Sequence, residues 1–403
     1  MRFLLISCRL MMPFICIAGL AFSGLAQTNQ GTKTVQIRLK LQSDAAISIN
    51  KAAFKYNKHT AFSFTLDDGY RSAFLCGYPL LNGGKISPPF TEEWGHDEGG
   101  DGSSSKGLYY SDGCGKPIAY KMAVAINGAS LKQIPANRGN LSWAEVHTLY
   151  QSGWDILNHS YRHSTKHGTD YEDEVVQNNA IVTEKLGFHM TQFVVPGGES
   201  DPGYDMEYAK AAFKNGIRAV ATTSGAGPAI DVSQPLNLDA MIYNRSFIKS
   251  EAGKGQEVID QSLQNIQALT KKAEPIWYNQ FSHGVGNTNL WGISLVFKDF
   301  KYYMTTLAKT HGIEGADDLW MAPWQEVYEY LWLRDRIQVK TRKKGLEVFI
   351  ELSIPAIPDN FRYRSISLAV GTPSKFSIIT GNKNLKINAN GSGKHDLINI
   401  DLR

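Results

Sequence analysis

The sequence predicts an α/β fold in which parallel strands alternate with helices in a (β/α) barrel, followed by a small all-β C-terminal domain. Three observations favour this fold. Strand-like and helix-like segments alternate from Phe62 to about Arg334, and the strand-like segments are nearly continuous apolar runs. Such runs are typical of parallel strands that are buried on both faces. After Arg336 the pattern changes to short segments in which apolar and polar residues alternate, which is typical of antiparallel strands.

The barrel strands and helices can be placed one after another along the chain. The strand-like segments are, in order, FSFTLD, YKMAVAIN, WDILNHS, MTQFVVPG, IRAVATT, AMIYNRSF and IWYNQFSH. The helix-like segments are LSWAEVHTLYQSG, YEDEVVQNNAIVTEKLG, YDMEYAKAAFKNG, GQEVIDQSLQNIQALTKKA and VFKDFKYYMTTLAKTHG. Ser142 with Glu145, and Thr169 with Glu172, have the spacing of a capping box, so they predict where the first two helices begin.

Two regions depart from this alternation. Residues 83–116 are rich in Gly, Pro and Ser, so this insertion is either disordered or one wall of a binding cleft. Residues 336–403 begin with a predicted hairpin around Lys344 and Gly345 and form the small β-rich domain. A structural cap is the favoured role for that domain, and glycan binding is the alternative.

The first 26 residues have the features of an export signal. Arg2 and Arg9 flank a short apolar stretch, and the small residues before Gln27 are compatible with cleavage after Ala26. We therefore expect a signal peptide at 1–26, a β-prone lead-in at 27–60, the barrel at 61–335, and a secreted or periplasmic location. No later stretch has the roughly 20 apolar residues of a membrane span.

The net charge limits the classes of binding partner, and the cysteine content limits the disulfides that can form. Without residues 1–26 the formal net charge falls from +4 to +2, which argues against a nucleic-acid partner because such proteins present a concentrated basic face. Of the four cysteines only Cys76 and Cys114 lie beyond the predicted signal. In an oxidising compartment they form either a disulfide or two free thiols.

Candidate functional residues follow four of the predicted strands. They are Asp67 and Asp68 after FSFTL, His159 after WDILN, Pro196 and Gly197 after TQFVV, and His283 after IWYNQFS. The carboxyl ends of parallel strands meet at one rim of a barrel, where β/α barrels collect their catalytic groups. The sequence therefore predicts one site that is built from four separate loops.

His159 and His163 are four residues apart in NHSYRH. If the chain is helical there, both imidazoles project from the same face and can bind one ion. With an acid from a strand end they would form a site of two nitrogens and one oxygen with open positions. Such a site suits hydrolytic zinc, and it also suits non-haem iron.

The segments TLDDG, HSYRH, VVPGG and FSH resemble, in order and rough spacing, the motifs of the polysaccharide deacetylase family with the NodB homology domain, carbohydrate esterase family 4. The resemblance covers about Ala61 to His283. It implies a distorted β/α barrel of the NodB type and a divalent metal, most often zinc. It also implies hydrolytic removal of acetyl groups, from N-acetylated amino sugars more often than from O-acetylated glycans.

The resemblance also implies roles for individual residues. Asp68, His159 and His163 align with the metal ligands, and Asp67 aligns with the catalytic base that accepts a proton from the attacking water. His283 aligns with the acid that protonates the leaving group. The backbone N–H of Gly197 aligns with the donor to the oxyanion. Apart from the resemblance, Tyr70, Trp291 and Trp94 of the insertion are candidates for contact with substrate by stacking on a sugar, and a packed core position is the alternative for each.

The chain departs from the family pattern at two motifs. Val194 occupies the position of an arginine that steadies the catalytic base, and no clear match to the fourth motif is found. Arg162, Arg218 or Arg245 could replace that arginine, and Asp239 could support His283. The alternative function is therefore a glycan-binding protein that retains the barrel without turnover. Iron-dependent oxidation, compatible with the ligand types alone, is a third hypothesis.

Overall fold

The computed structural model describes residues 32–131, 139–197, 202–222, 227–381, 385–393 and 396–403. The predicted signal peptide, residues 1–26, lies outside the described residues. In the described part of the chain, no helix is long and apolar enough to cross a membrane.

Strands and helices occur in the alternation that the sequence predicts. The strands are β1 (Lys33–Leu41), β2 (Ser48–Lys51), β3 (Thr60–Leu66), β4 (Gly84–Lys85), β5 (Ser104–Ser105), β6 (Tyr109–Ser111), β7 (Pro117–Ala119), β8 (Ala123–Ile126), β9 (Asp155–Asn158), β10 (Gln192–Val194), β11 (Ala219–Thr222), β12 (Ala229–Asp231), β13 (Met241–Asn244), β14 (Ser246–Phe247), β15 (Ile276–Ser282), β16 (Leu319–Met321), β17 (Gln338–Lys344), β18 (Glu347–Ile354), β19 (Ser365–Gly371), β20 (Phe376–Thr380), β21 (Lys386–Asn390) and β22 (Leu397–Asp401). The helices are α1 (Tyr78–Asn82), α2 (Trp143–Gln151), α3 (Tyr171–Leu186), α4 (Pro202–Lys214), α5 (Gly255–Thr270), α6 (Phe297–His311) and α7 (Trp324–Arg336).

The central sheet curls into a distorted barrel of parallel strands, which confirms the predicted fold class. Its strand order is β15-β3-β8-β9-β10-β11-β13, with the antiparallel β12 beside β15. The strands β13 and β14 are separated by Arg245 alone; β13 pairs with β11 and β14 pairs with β15, so this interrupted strand joins the two ends of the sheet. The barrel is distorted because β16 pairs with the first half of β3, while β8 pairs with its last two residues.

Continuous burial explains why the barrel strands were recognisable in the sequence. Every residue of β3, β8, β9, β11 and β15 is buried. Helices α2, α3, α4, α5 and α7 pack against strands of this sheet. In α7, the stripe of Trp324, Tyr328 and Trp332 is buried, as its four-residue spacing indicates.

Two four-stranded antiparallel sheets contain the C-terminal strands. One has the order β17-β18-β1-β20 and the other β2-β19-β22-β21. The hairpin predicted at Lys344 and Gly345 is confirmed as the turn between β17 and β18. Each sheet also includes a strand of the N-terminal lead-in, because β1 pairs with β18 and β20, and β2 pairs with β19.

The structure decides three further points. Cys76 and Cys114 are both free thiols, so the disulfide alternative is wrong. Residues 83–116 are described throughout and include three short strands, β4, β5 and β6, so the alternative of a disordered insertion is wrong. The capping box at Ser142 and Glu145 is confirmed, whereas α3 begins one residue later than predicted: Asp170, and not Thr169, accepts the capping hydrogen bond, from the backbone N–H of Asp173.

Candidate metal and catalytic site

The site residues predicted from sequence follow strands whose carboxyl ends meet at one edge of the barrel. Asp67 extends the ladder beyond β3, since its N–H donates to the carbonyl of Ser282 at 2.9 Å. His159 does the same beyond β9, donating to the carbonyl of Ile126 at 3.1 Å. These backbone hydrogen bonds fix the positions of Asp67 and His159 relative to the sheet.

The two adjacent carboxylates occupy different surroundings because the backbone reverses between them. Asp68 has φ +68° and Gly69 has φ +65°. The left-handed region is open to glycine and is tolerated by aspartate better than by most residues. The turn separates the carboxylates, so that Asp67 lies inside the barrel while Asp68 faces the histidines.

Asp68, His159 and His163 form a three-residue cluster. Oδ1 of Asp68 lies 3.3 Å from Nε2 of His159 and 3.3 Å from Nε2 of His163. The potential ligand atoms of the three residues lie within 4.8 Å of one another. Ligands about 2.0–2.1 Å from a tetrahedral zinc ion are about 3.3–3.4 Å apart, so the two 3.3 Å separations from Oδ1 of Asp68 fit a common ion.

The hydrogen bonds of His159 fit the same interpretation. Its Nδ1 lies 2.9 Å from the carbonyl oxygen of Val194. A carbonyl oxygen only accepts, so Nδ1 carries the proton and the lone pair of Nε2 points toward Asp68. Oδ1 of Asp68 is itself buried, and among the described residues it has no hydrogen-bond donor. Two lone pairs that face each other in a buried site are complementary to a cation.

The electrostatics of Asp68 keep it ionised. Burial raises the pKa of its carboxyl, but when His159 and His163 are protonated they can donate to it, and this effect, with the charge of the nearby His283, outweighs burial and brings the pKa well below the usual range. An ionised carboxylate between two imidazoles has the charge and donor set that a divalent cation requires.

His163 reaches the cluster by a route that the sequence did not predict. The segment from Ser160 to Asp170 is not helical, and Ser160 and His163 have φ values of +62° and +58°. The helical interpretation of the four-residue spacing is therefore wrong. The imidazoles converge because this turn folds back, which leaves their ring centroids 5.0 Å apart. The side chain of His163 is 36% exposed, so the cluster opens to solvent on this side.

Buried polar side chains hold the His163 turn. The side-chain amide of Asn127 donates to the carbonyls of His159 and Ser160. The hydroxyls of Tyr204 and Tyr208, on α4, both donate to the carbonyl of Ser164 at 2.5 and 2.8 Å. This turn is therefore fixed from the barrel side and from α4, although its backbone conformation is unfavourable.

Asp67 is paired with Arg245 inside the barrel. Nη1 and Nη2 of Arg245 donate to Oδ1 and Oδ2 of Asp67 at 2.9 and 2.8 Å, and the two side chains are 2% and 3% exposed. Burial raises the pKa of Asp67, but the guanidinium outweighs it and holds the pKa below its usual value. Each carboxylate oxygen has two lone pairs, so one on each remains available.

Arg245 is one of the three arginines that the sequence offered as replacements for the arginine missing at position 194. The side chain of Arg162 pairs with Asp173 and Glu174, and Arg218 lies over the ring of Phe361 at 5.4 Å. Arg245 reaches Asp67 because it is the single residue between β13 and β14, where the strand changes its partner and closes the barrel. A charged residue within the apolar segment MIYNRSF marks Arg245 as unusual in the sequence. Its partner could not be predicted, because Asp67 lies 178 positions away and local sequence does not encode that pairing.

His283 lies beside the cluster. Its Nδ1 is 3.1 Å from the carbonyl oxygen of Ile293, so Nδ1 carries a proton and Nε2 is the nitrogen that faces the cluster. That Nε2 lies 4.0 Å from Oδ2 of Asp68. Asp239, which the sequence suggested as a support for His283, pairs instead with Arg336 at 2.8 Å.

Comparison with known proteins gives a fold-level similarity only. No protein-family model and no curated protein match this chain. Among solved structures, a protein described as a probable polysaccharide deacetylase from Pseudomonas aeruginosa is 12% identical, with a TM-score of 0.42, over 69% of this chain and 92% of that one. A polysaccharide deacetylase from Bacillus cereus is 12% identical, with a TM-score of 0.36, over 66% and 91%. The assignment of the site rests on the geometry above, because similarities this low do not assign an activity.

Three further predicted residues lie around the cluster. Gly197 follows β10 in a turn with φ +59°, and a Cβ there would come within 2.8 Å of Cγ2 of Thr165, so the close approach requires glycine. Tyr70 is buried and lies against Trp291, with ring centroids 6.3 Å apart. Trp291 is exposed.

Proposed function

We propose that this protein is a metal-dependent hydrolase that removes acetyl groups from a glycan, with an N-acetylated amino-sugar polymer as the favoured substrate. The observation that carries the proposal is that the adjacent carboxylates of Asp67 and Asp68 have different partners. One carboxylate faces two imidazole nitrogens, and its neighbour is held apart from them by a buried guanidinium. A metal site and a separate base are the two components that water-dependent deacetylation needs.

Zinc is the favoured cation, held by Asp68, His159 and His163. A divalent cation at this position would acidify a water molecule and polarise the acetyl carbonyl oxygen. The two nitrogens and one carboxylate oxygen, with an open side at His163, suit that chemistry. They would also accept iron, so metal analysis of protein purified without added metal separates the hydrolytic from the oxidative hypothesis.

The remaining steps use side chains of this chain. As the water oxygen attacks the acetyl carbon, Asp67 accepts the water proton on a carboxylate lone pair that Arg245 does not occupy. The bond from the acetyl carbon to nitrogen or oxygen then breaks, and Nε2 of His283 gives its proton to the departing amine or alcohol. The backbone N–H of Gly197 is the proposed donor to the oxyanion.

The pairing of Asp67 with Arg245 supports catalysis over simple glycan binding. The binding hypothesis was motivated by the absence of arginine at position 194, and Arg245 supplies a guanidinium from another strand. A protein that only binds glycan does not need an oriented base together with His283.

The test is acetate release by pure, zinc-loaded protein from panels of N-acetylated and O-acetylated glycans. We expect release that stops when the metal is removed by a chelator and returns when zinc is restored. Glycan binding without acetate release would select the binding hypothesis, and absence of both would remove the glycan from the proposal.

We also propose that the chain is exported, with cleavage after Ala26. The basis is the sequence pattern of residues 1–26 alone. Mass spectrometry of the protein recovered from an exporting host should give an N-terminus at Gln27, and an intact N-terminal methionine there would contradict the proposal.

A further inference from the structure

Two of the eight tryptophans are exposed, and both lie near the candidate site. Trp94 is 51% exposed and Trp291 is 64% exposed, whereas each of the other six is at most 8% exposed. A single exposed apolar side chain is ordinary, but indoles are normally buried because of their large apolar area. The coincidence of the two exposed indoles in one region calls for a physical reason.

Ring contacts connect Trp291 to Tyr70, which follows the cluster residue Asp68, and to His96. Tyr70 comes two residues after Asp68, and its ring centroid is 6.3 Å from that of Trp291. The imidazole of His96 meets Trp291 edge-on, with centroids 4.9 Å apart and the planes at 85°. His96 is in turn two residues from Trp94. We name the surface formed by Trp94, His96 and Trp291 the aromatic lip.

The insertion side of the aromatic lip is held by one buried carboxylate. Glu92 is buried, and its Oε2 and Oε1 accept hydrogen bonds from the backbone N–H groups of Trp94 and His96 at 2.9 and 3.1 Å. The backbone of Glu92 also donates to the carbonyl of His96 at 2.8 Å. Residues 92–96 are therefore a closed turn that presents Trp94 and His96 in fixed positions.

The other side is held in an unfavourable backbone conformation. Trp291 has φ +44° and ψ +23°, in the left-handed region that bulky residues rarely adopt. The neighbouring Asn289 maintains it, since its side chain donates to the carbonyl of Ser250 at 2.7 Å and accepts from the N–H of Ser294 at 2.8 Å. Residues kept in such conformations concentrate at ligand-binding sites, where the surrounding structure compensates for the strain.

Hydrogen bonds join the two sides to each other and to the segment that follows His283. The N–H of Asp97 donates to Oγ1 of Thr288 at 2.9 Å, and the N–H of Thr288 donates to the carbonyl of Asp97 at 3.0 Å. The N–H of Asn287 donates to the carbonyl of Gly99 at 3.0 Å. The insertion is thus attached to the loop that begins at His283, and the aromatic lip is fixed relative to that histidine.

We propose that the aromatic lip is a sugar-binding subsite, which holds pyranose rings next to the acetylated unit by stacking them on Trp94 and Trp291. This proposal rests on the proposed function, because it places the occupant as a neighbour of the reacting unit. The C–H faces of a pyranose match the indole faces, and its hydroxyl groups match a rim that carries His96. The insertion at 83–116 then favours extended polymers over single sugars.

The test compares a single acetylated sugar with an oligosaccharide of six units from the same acetylated polymer, using the full zinc-loaded chain. In Trp291→Ala and Trp94→Ala we expect the KM for the six-unit substrate to rise about ten-fold, the equivalent of one good aromatic contact, with the loss in KM rather than in kcat. Trp291→Phe, which keeps a ring, should recover part of the loss. Tyr302→Ala removes an exposed aromatic residue on α6, outside the aromatic lip, and is the matched control that should change neither constant.

Isothermal titration with the same sugars keeps this proposal separate from the catalytic one. Binding of the six-unit sugar that weakens in both Trp→Ala variants, without acetate release by the wild type, would support the aromatic lip and overturn the deacetylase proposal. Acetate release with unchanged KM and affinity in both variants would overturn the aromatic lip alone. Equal losses for the single sugar and the six-unit substrate would also overturn it, since the indoles would then contact the reacting unit and not its neighbour.

Discussion

Two groups of buried charged side chains lie at opposite edges of the barrel, and they are hydrogen-bonded differently. At the carboxyl edge are Asp67, Asp68 and Arg245, and at the amino edge Asp155, the first residue of β9, meets Arg362. Oδ1 of Asp155 accepts from the hydroxyl of Tyr363 at 2.7 Å and from Arg362 at 3.3 Å, and its Oδ2 accepts from the N–H of Gln325 at 2.8 Å.

The amino-edge group has the hydrogen bonding of a structural charge cluster, whereas the carboxyl-edge group has that of a ligand-binding site. Each carboxylate oxygen of Asp155 has a donor, as has each oxygen of the neighbouring Glu329. Asp68, by contrast, places beside two imidazole nitrogens an oxygen to which none of the described residues donates. A saturated buried carboxylate stabilises the fold, whereas one whose lone pair faces other lone pairs costs stability unless a cation binds. Mutations at the two edges should therefore affect different properties.

The largest expected effect is on catalysis, at the carboxyl edge. His163→Ala removes one of three proposed ligands, so metal content should fall with activity, by about 10³-fold or more in kcat. Asp67→Asn should lower kcat by about 10²–10⁴-fold while metal content stays close to that of the wild type. Mass spectrometry of bound metal together with acetate release measures both. Equal loss of metal in the two variants would mean that Asp67 and Asp68 have been assigned the wrong roles.

Arg245→Met should lower both stability and activity, because Arg245 serves the fold and the site. It leaves the buried carboxylate of Asp67 without its partner, a change that costs about 3–5 kcal/mol in the free energy of unfolding. The double variant Asp67→Asn with Arg245→Met should be more stable than the sum of the single losses predicts, as measured by urea denaturation. Arg336→Met, which breaks an exposed pair with Asp239 away from both carboxylates, is the control for activity. Additive losses in the double variant would show that the pair does not interact as described.

Local sequence predicted the strands and their polar ends, but not the contacts made over long distances. FSFTLDD and IWYNQFSH were informative because buried parallel strands are continuously apolar and a polar residue marks their end. The choice of Arg245 over Arg162 and Arg218 was not predictable, because it depends on where β13 leaves β11 to close the barrel. The His163 turn was predicted as helix because four-residue spacing is a helical signal, and its left-handed residues leave no local pattern.

A mutation at the amino edge should lower the stability of the fold without lowering activity. Arg362 lies 3.9 Å above the ring of Tyr150 and donates to the carbonyl of Trp154 at 2.7 Å as well as to Asp155. Arg362→Met should therefore lower the free energy of unfolding by about 3 kcal/mol with kcat unchanged. Arg336→Met breaks the exposed pair with Asp239 and should cost at most about 1 kcal/mol, which makes it the matched control. A large fall in kcat for Arg362→Met, measured well below its melting temperature, would remove the distinction between the edges.

The smallest expected effect is a pH dependence of stability that originates at the amino edge. Burial, reinforced by the nearby Asp155, raises the pKa of Glu329 to about 8, although hydrogen bonds from Gln325 and Tyr363 oppose the shift. Between its ordinary pKa of 4.5 and about 8, the folded state keeps a proton that the unfolded state has lost, so the free energy of unfolding falls as pH rises through this window.

In the interval from pH 7 to 8, Glu329 contributes more to the pH dependence than the other carboxyls with raised pKa values. The pKa of Asp155 is raised to about 6 and that of Glu98 to about 7, both mainly by burial, so their contributions are largely complete below this interval. Glu329→Gln should therefore reduce the fall in unfolding free energy between pH 7 and 8 by about 1 kcal/mol, measured by urea denaturation at each pH. Glu347→Gln, at an exposed position in β18, should leave that fall unchanged. If Glu329→Gln also leaves it unchanged, Glu329 is already ionised in the folded state, and the saturation of its two oxygens stabilises the charge more than burial opposes it.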